Sequence, residues 1–182
     1  SASQVKTLRE KSGAGMMDCK AALVETGGDI EKAIDFLRQK GLADAGKKSG
    51  RTATEGLVHA YIHAGGKIGV LVEINCETDF VARTPQFQEF AKDVAMHVAA
   101  ANPVCVQRED LPADAVDRER DIYAAQARET GKPDNVIEKI VDGKINRFFR
   151  ENVLLEQIFV KDTDKDIQTL VKEKVTELGE NI

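Results

Sequence analysis

The chain has 182 residues, of which 42% are hydrophobic and 31% charged, enough for one ordinary domain or a small module joined to a larger one. Its formal net charge of −5 argues against a protein whose main partner is the nucleic-acid backbone, because that role calls for a basic face. The sequence shows no membrane span and no signal peptide, so we expect a cytoplasmic protein or one of the equivalent organelle compartment.

The pattern of residues 1–41 predicts a module of three short helices. Ser3 is a candidate N-cap of the first helix, and a glycine pair ends the second. Asp29 is a good N-cap for the third, whose apolar residues recur at i, i+3, i+4 and i+7, and Gly41 is expected to end it. In length the unit looks like a three-helix module of the ubiquitin-associated type.

Residues 42–55 are small, polar and basic, which predicts a flexible linker. Lys47, Lys48 and Arg51 could form a patch for nucleic acid. Three charges beside glycines are more often a solvated tether, because exposed lysine and arginine are ordinary.

Residues 56–182 predict an α+β core. Alternating apolar residues on both sides of Gly65-Gly66 indicate two strands in an antiparallel hairpin. The remaining predicted elements are a helix from Thr84-Pro85 to Asn102, a helix from Pro112 to Gly131, a helix at 134–150 with a kink or close packing at Gly143, a strand or extended segment at 154–160, and a final helix capped by Asp166.

The stretch from Asn75 to Arg83 joins the second strand to the next helix and carries candidate functional residues. It sets the carboxylate of Asp79 beside Phe80 at a junction where side chains tend to project, and such junctions are favoured places for functional residues. From spacing alone, packing of Phe80 and Val81 in the local core is the commoner outcome, since apolar residues are mostly buried.

The sequence contains no recognisable set of catalytic residues. It has no glycine-rich phosphate loop and no GxSxG elbow. His59 and His63 lie on a predicted strand where nothing completes a set of three or four metal ligands. Cys76 is a weak nucleophile candidate, since a lone cysteine at a strand end usually fills the core. We therefore expect a binding protein and not an enzyme, without a metal or other cofactor.

Cysteine usage points to a reducing compartment. Cys19, Cys76 and Cys105 lie far apart, without the CxxC spacing of a metal or redox site. An odd number outside a small disulfide-dense frame is typical of reduced thiols in a cytosol-like compartment.

Long motifs spread along the chain match one known family in order. They are Val5–Lys20, Gly28–Ala33, Asn75–Ala82, Ala95–Ala100 and Leu154–Gln157. Together they cover much of the chain and resemble the elongation factor Ts family. The resemblance implies a guanine-nucleotide exchange factor that binds elongation factor Tu, GDP-bound or nucleotide-free, and promotes GDP release.

The resemblance also implies site residues. The family's Thr-Asp-Phe-Val-Ala motif maps onto Thr78, Asp79, Phe80, Val81 and Ala82. In the family the Asp and Phe push in beside the nucleotide site of the GTPase, so Phe80 would be a hydrophobic wedge and Asp79 a competing carboxylate near Mg²⁺ and the phosphates.

Further contacts with the GTPase are implied outside that motif. Arg9, Met16 and Met17 match positions of the helical module that touch the nucleotide domain, and we expect one of the two methionines to be exposed. Lys48 matches a contact position in the linker. His63 matches a contact with another domain of the GTPase.

The order of the strands resembles the short form of the family. The segment Tyr61–Gly66 directly precedes the strand that leads to Asp79 and Phe80. Long members of the family carry the Tyr-x-His segment and the Asp-Phe motif in two related halves. In the family the short form pairs, so the resemblance implies a homodimer in which two chains supply both contacts. The family's basic, aromatic segment is missing beyond Ile182, so we expect the core to be truncated there.

Two readings of other classes stay open beside this one. The first is an RNA- or ribosome-associated binding protein without exchange activity that uses residues 47–51, which the acidic total disfavours. The second is an adaptor whose helical module binds ubiquitin-like partners.

Overall fold

The computed structural model describes residues 1–182 apart from the side chain of Leu42. It confirms the predicted α+β class, with a helical N-terminal part followed by a two-stranded antiparallel sheet and further helices. The elements are α1 (Ala2–Ser12), α2 (Met16–Glu25), α3 (Ile30–Lys48), β1 (Glu55–Ile62), β2 (Gly69–Cys76), α4 (Asp79–Ala82), α5 (Pro85–Ala101), α6 (Ala113–Arg128), α7 (Asp134–Asn152) and α8 (Ile167–Leu178).

The chain divides into two compact units. The first comprises Ser1–Ala95 and Thr169–Ile182, and the second comprises Met96–Gln168. The division into domains at residues 41 and 55 stays a proposal.

Helices α1 to α3 form a bundle around a small apolar core that includes Leu8, Cys19 and Leu37. The predicted N-cap of α1 is wrong by two residues. The hydroxyl of Ser1 accepts the N–H of Gln4 in a capping box, and Ser3 lies inside the helix. The predicted cap of α3 is confirmed, because the side chain of Asp29 accepts the N–H of Lys32 at 3.1 Å.

The prediction that Gly41 ends α3 is wrong, since the helix continues to Lys48. Gly41 is buried where α3 meets α8, and a Cβ there would lie 2.9 Å from Cγ2 of Thr176. The Thr176 hydroxyl also donates to the Gly41 carbonyl at 2.9 Å. Glycine at this position therefore permits close helix packing, and the first part of the predicted linker is helical.

The predicted hairpin is confirmed, with Leu57 opposite Ile74 and Tyr61 opposite Val70. One face of the sheet packs through Leu57 and Ile74 against the cluster of Cys76, Ala82 and Phe87. The opposite face, here called the outer sheet face, is exposed and largely apolar. Its apolar members are Val58, Ala60, Ile62 and Leu71.

In the second unit, α6 and α7 pack together around Ala127, Ile137 and Val141. The predicted strand at 154–160 is wrong at its start, because Leu154–Glu156 forms a 3₁₀ turn closed by N–H groups that donate to the carbonyl of Val153. At Gly143 neither a break in α7 nor close packing is found, since a Cβ there would meet no atom within 4 Å.

His97 is a fully buried polar residue that the sequence did not single out. Its Nδ1 accepts the N–H of Val160 at 3.3 Å, so Nε2 carries the proton and donates to Oε1 of Gln157 at 3.0 Å. The amide of Gln157 in turn donates to the carbonyl of Glu151 at 2.8 Å. The network satisfies neutral imidazole, and burial lowers the pKa of His97.

We expect the stability of the protein to fall in mild acid because of His97. A group whose pKa is lowered by folding adds stability above its unfolded pKa, near 6.5, and loses it as the pH falls through the folded value. The slope should approach about 1.4 kcal/mol per pH unit, the value for uptake of one proton.

Urea unfolding between pH 7.5 and 5 measures this slope. A His97→Gln variant should lose part of the pH dependence, whereas the control His59→Gln, which alters a ring on the sheet, should keep it. Equal slopes for the wild type and His97→Gln would contradict the assignment.

Candidate partner-binding site

The motif predicted to bind the partner forms a one-turn helix, α4, between two capping threonines. Thr78 is its N-cap, and its Oγ1 accepts the N–H of Val81 at 3.4 Å. Thr84 donates to the Val81 carbonyl at 2.8 Å and accepts the N–H of Phe87 at 3.3 Å. Residues 78–84, here called the Asp-Phe turn, are thus held by successive side-chain caps.

The floor of the turn belongs to the apolar core. Ala82 is 6% exposed and Val81 packs against the same cluster as Cys76 and Phe87. The thiol of Cys76 donates to the carbonyl of Thr78 at 3.2 Å, and burial raises the pKa of that thiol. Ala82 and most of Val81 therefore support the turn from beneath.

Phe80 projects from the turn into solvent. Its residue exposure is 79%, so the structure decides between the two outcomes that spacing left open and places the ring outside the core. Asp79 is half-buried beside it and pairs with Arg83 at 2.7 Å. Such a partly exposed ion pair is worth little, about 0–1 kcal/mol, and can be exchanged for another cation.

The residues that follow α8 lie against the turn, a contact the sequence did not indicate. Both oxygens of Glu180 bind Thr78, one accepting its N–H at 2.9 Å and the other its hydroxyl at 2.6 Å. The side chain of Glu77 accepts the N–H of Asn181 at 2.7 Å. Local sequence patterns do not predict contacts between residues about a hundred positions apart.

A second candidate surface is a groove of about 740 Å³ along α1 and α2. It brings together Arg9 of α1 with Met16 and Met17 of α2, all three of them predicted contact residues. The expectation that one methionine is exposed is corrected, because both are, at 60% and 74%. Val24, exposed at 75%, extends the apolar wall.

The two remaining predicted contact residues lie elsewhere in the first unit. Lys48 is half-buried at the last position of α3. His63 is exposed just after β1, and its Nδ1 lies 3.0 Å from the hydroxyl of Tyr61. The structure does not bring either residue into the groove or the Asp-Phe turn.

The basic segment 47–51 is partly neutralised. Lys47 pairs with Asp44 at 2.9 Å, and Arg51 lies 3.5 Å from Glu77. These pairs weaken the segment as a patch for nucleic-acid phosphates, which requires net positive charge.

The described residues form no cluster suited to a metal ion and no helix suited to crossing a membrane. Among them, no three His, Cys, Asp or Glu side chains come close enough to hold a metal ion together. None of the helices they form combines the length and apolar character needed to cross a membrane. Cys19, Cys76 and Cys105 are free thiols.

Comparison with known proteins identifies the family. The family model for elongation factor Ts matches residues 43–182. Proteins named elongation factor Ts from Geobacter sulfurreducens and Geobacter metallireducens are 62% and 63% identical, over 100% of this chain and 84% of theirs. The one from Syntrophobacter fumaroxidans is 60% identical over 90% of its length. The chain therefore belongs to the elongation factor Ts family of translation elongation factors, which act with elongation factor Tu.

Proposed function

We propose that this protein is a guanine-nucleotide exchange factor that binds elongation factor Tu in its GDP-bound and nucleotide-free states and promotes GDP release in the cytoplasm. The observation that carries the proposal is the exposed ring of Phe80 on a capped turn. A large apolar ring exposed to solvent suits burial in a partner, where aromatic anchors contribute much of the binding energy.

The turn offers a mechanism that needs no catalytic acid or base in this chain. A GTPase of this kind holds GDP through its phosphate loop and Mg²⁺. Phe80 inserts as a wedge beside that site, and Asp79 presents a competing carboxylate. A partner that binds best when those contacts are disrupted must lower the affinity for GDP by the same factor by which GDP lowers the affinity for the partner. Since the disrupted contacts are the ones that retain GDP, its release is also faster.

The groove of Arg9, Met16 and Met17 supplies a second contact, with the nucleotide domain of elongation factor Tu. Methionine side chains are flexible and polarisable, which suits adaptable interfaces, and here both are exposed beside a cation. Lys48 and His63 add contacts outside the groove and the turn.

The protein acts as a homodimer in this proposal, joined through the outer sheet face. Val58, Ala60, Ile62 and Leu71 lie on neighbouring positions of paired strands, and three of them are more than 60% exposed. A two-stranded sheet rarely keeps such a face in water, and a second copy would cover it with the same residues. Pairing would let two chains supply the Asp-Phe and His63 contacts.

Release of fluorescently labelled GDP from elongation factor Tu tests the function. Substoichiometric amounts of this chain should accelerate release through many turnovers. An unchanged release rate at saturating protein would exclude exchange activity. Binding of labelled RNA in the same buffer, without accelerated release, would favour the RNA-associated alternative.

A further inference from the structure

We propose that Glu180 is a positioning residue that fixes the Asp-Phe turn from behind. The inference rests on the proposed exchange function, because it assigns Glu180 the task of orienting Phe80. Glu180 lies just beyond the end of α8 and is separated from Thr78 by 102 residues.

The contact suits a carboxylate, whose two oxygens can accept two hydrogen bonds at once. Glu180 accepts both the N–H and the hydroxyl of Thr78, at 2.9 and 2.6 Å, and a carboxylate has only acceptor positions. Since the Thr78 hydroxyl gives its proton to Glu180, its lone pairs remain free to accept the N–H of Val81. Glu180 therefore fixes the direction of the hydroxyl that caps α4.

The carboxylate is itself held in place. Gly179 follows the last residue of α8 with a φ of +81°, a left-handed conformation that glycine adopts without strain and that ends the helix. The next residue, Asn181, donates its N–H to Glu77 at 2.7 Å and its side-chain amide to the carbonyl of Arg51 at 2.8 Å. Asn181 thus anchors residues 180–182 next to Thr78, through Glu77 and Arg51.

Phe80 depends on this support more than a buried ring would. At 79% exposure it has few neighbours that could fix its rotamer, so the fold sets only the direction of its Cα–Cβ bond, through the backbone of α4. A backbone already held in its binding conformation loses less conformational freedom on association. Loosening Thr78 should therefore slow exchange without removing any contact residue.

A Glu180→Gln variant tests the proposal with little change in size. The amide presents a donor to Thr78, so we expect GDP release to slow about tenfold, the scale expected for one hydrogen bond to a charged group. The control Glu177→Gln, which alters a carboxylate of α8 that pairs with Lys174, should retain the wild-type rate. A wild-type rate for Glu180→Gln would overturn the proposal.

A double variant distinguishes positioning from general destabilisation. If Glu180 acts through Phe80, adding Glu180→Gln to Phe80→Ala should slow release no further, because coupled residues are not additive. Multiplying effects would overturn the proposal.

Amide hydrogen exchange gives a readout that does not depend on nucleotide-exchange activity. In Glu180→Gln the Val81 amide should lose protection while amides of α6 and α7 keep theirs. Unchanged protection at Val81 would overturn the positioning role even if exchange slows. If Val81 loses protection in Glu180→Gln but the wild-type chain does not accelerate GDP release from elongation factor Tu, only the exchange function is contradicted.

Discussion

Replacing Phe80 with alanine is expected to slow GDP release from elongation factor Tu by roughly 30- to 150-fold, because removing a buried aromatic anchor from an interface loses about 2–3 kcal/mol. The free energy of unfolding should change by less than about 0.5 kcal/mol, because a surface side chain contributes little to the fold. The ring of Phe80 is 79% exposed, and its removal leaves no cavity in the core.

Phe87→Ala is the matched control for this prediction. Phe87 lies five positions after Ala82 and is fully buried. Its truncation to alanine should therefore cost about 3–5 kcal/mol of stability. Thermal melting and labelled-GDP release, measured on both variants, separate the two roles. The wedge role would be wrong if Phe80→Ala melted at as low a temperature as Phe87→Ala. It would also be wrong if Phe80→Ala promoted GDP release from elongation factor Tu at the wild-type rate.

Replacing Leu71 with glutamate is expected to convert the homodimer to a monomer, with a loss of at least about 100-fold in dimer affinity. Leu71 is 76% exposed in the middle of the outer sheet face, opposite Ala60. In a symmetric dimer the substitution places two charges in one apolar interface, and burial of an unpaired charge costs several kcal/mol. The exposed site itself should tolerate glutamate, so the monomer should remain folded.

Sedimentation equilibrium over a range of concentrations measures the effect. The control Ala64→Glu adds the same charge at an exposed position after β1, outside both strands, and should leave the dimer intact. A wild-type chain that sediments as a monomer at all concentrations would contradict the homodimer. A Leu71→Glu variant that still pairs would place the interface on another surface.

Exchange activity of Leu71→Glu adds a second outcome. If two chains must supply the Asp-Phe and His63 contacts together, GDP release from elongation factor Tu should be slower with the monomeric variant than with the wild type. A fully active monomer would show that one chain makes all the contacts with elongation factor Tu that exchange requires.

Local signals in the sequence determined much of the fold. The cap at Asp29, the helix start at Thr84-Pro85 and the alternation around Gly65-Gly66 were confirmed because each depends on residues within a few positions. The motif from Thr78 to Ala82 came from family resemblance, since spacing alone favoured burial of Phe80.

Tertiary contacts decided the remainder. Gly41 would end an isolated helix, but it lies in the middle of α3 because Thr176, 135 residues later, packs against it and bonds its carbonyl. Likewise the sequence places Thr78 before Asp79 and Phe80, but only the folded chain brings Glu180 behind it. Periodicity and capping report interactions over one turn or one strand pair, whereas the backbone that carries the exposed ring of Phe80 is held by residues distant in the sequence.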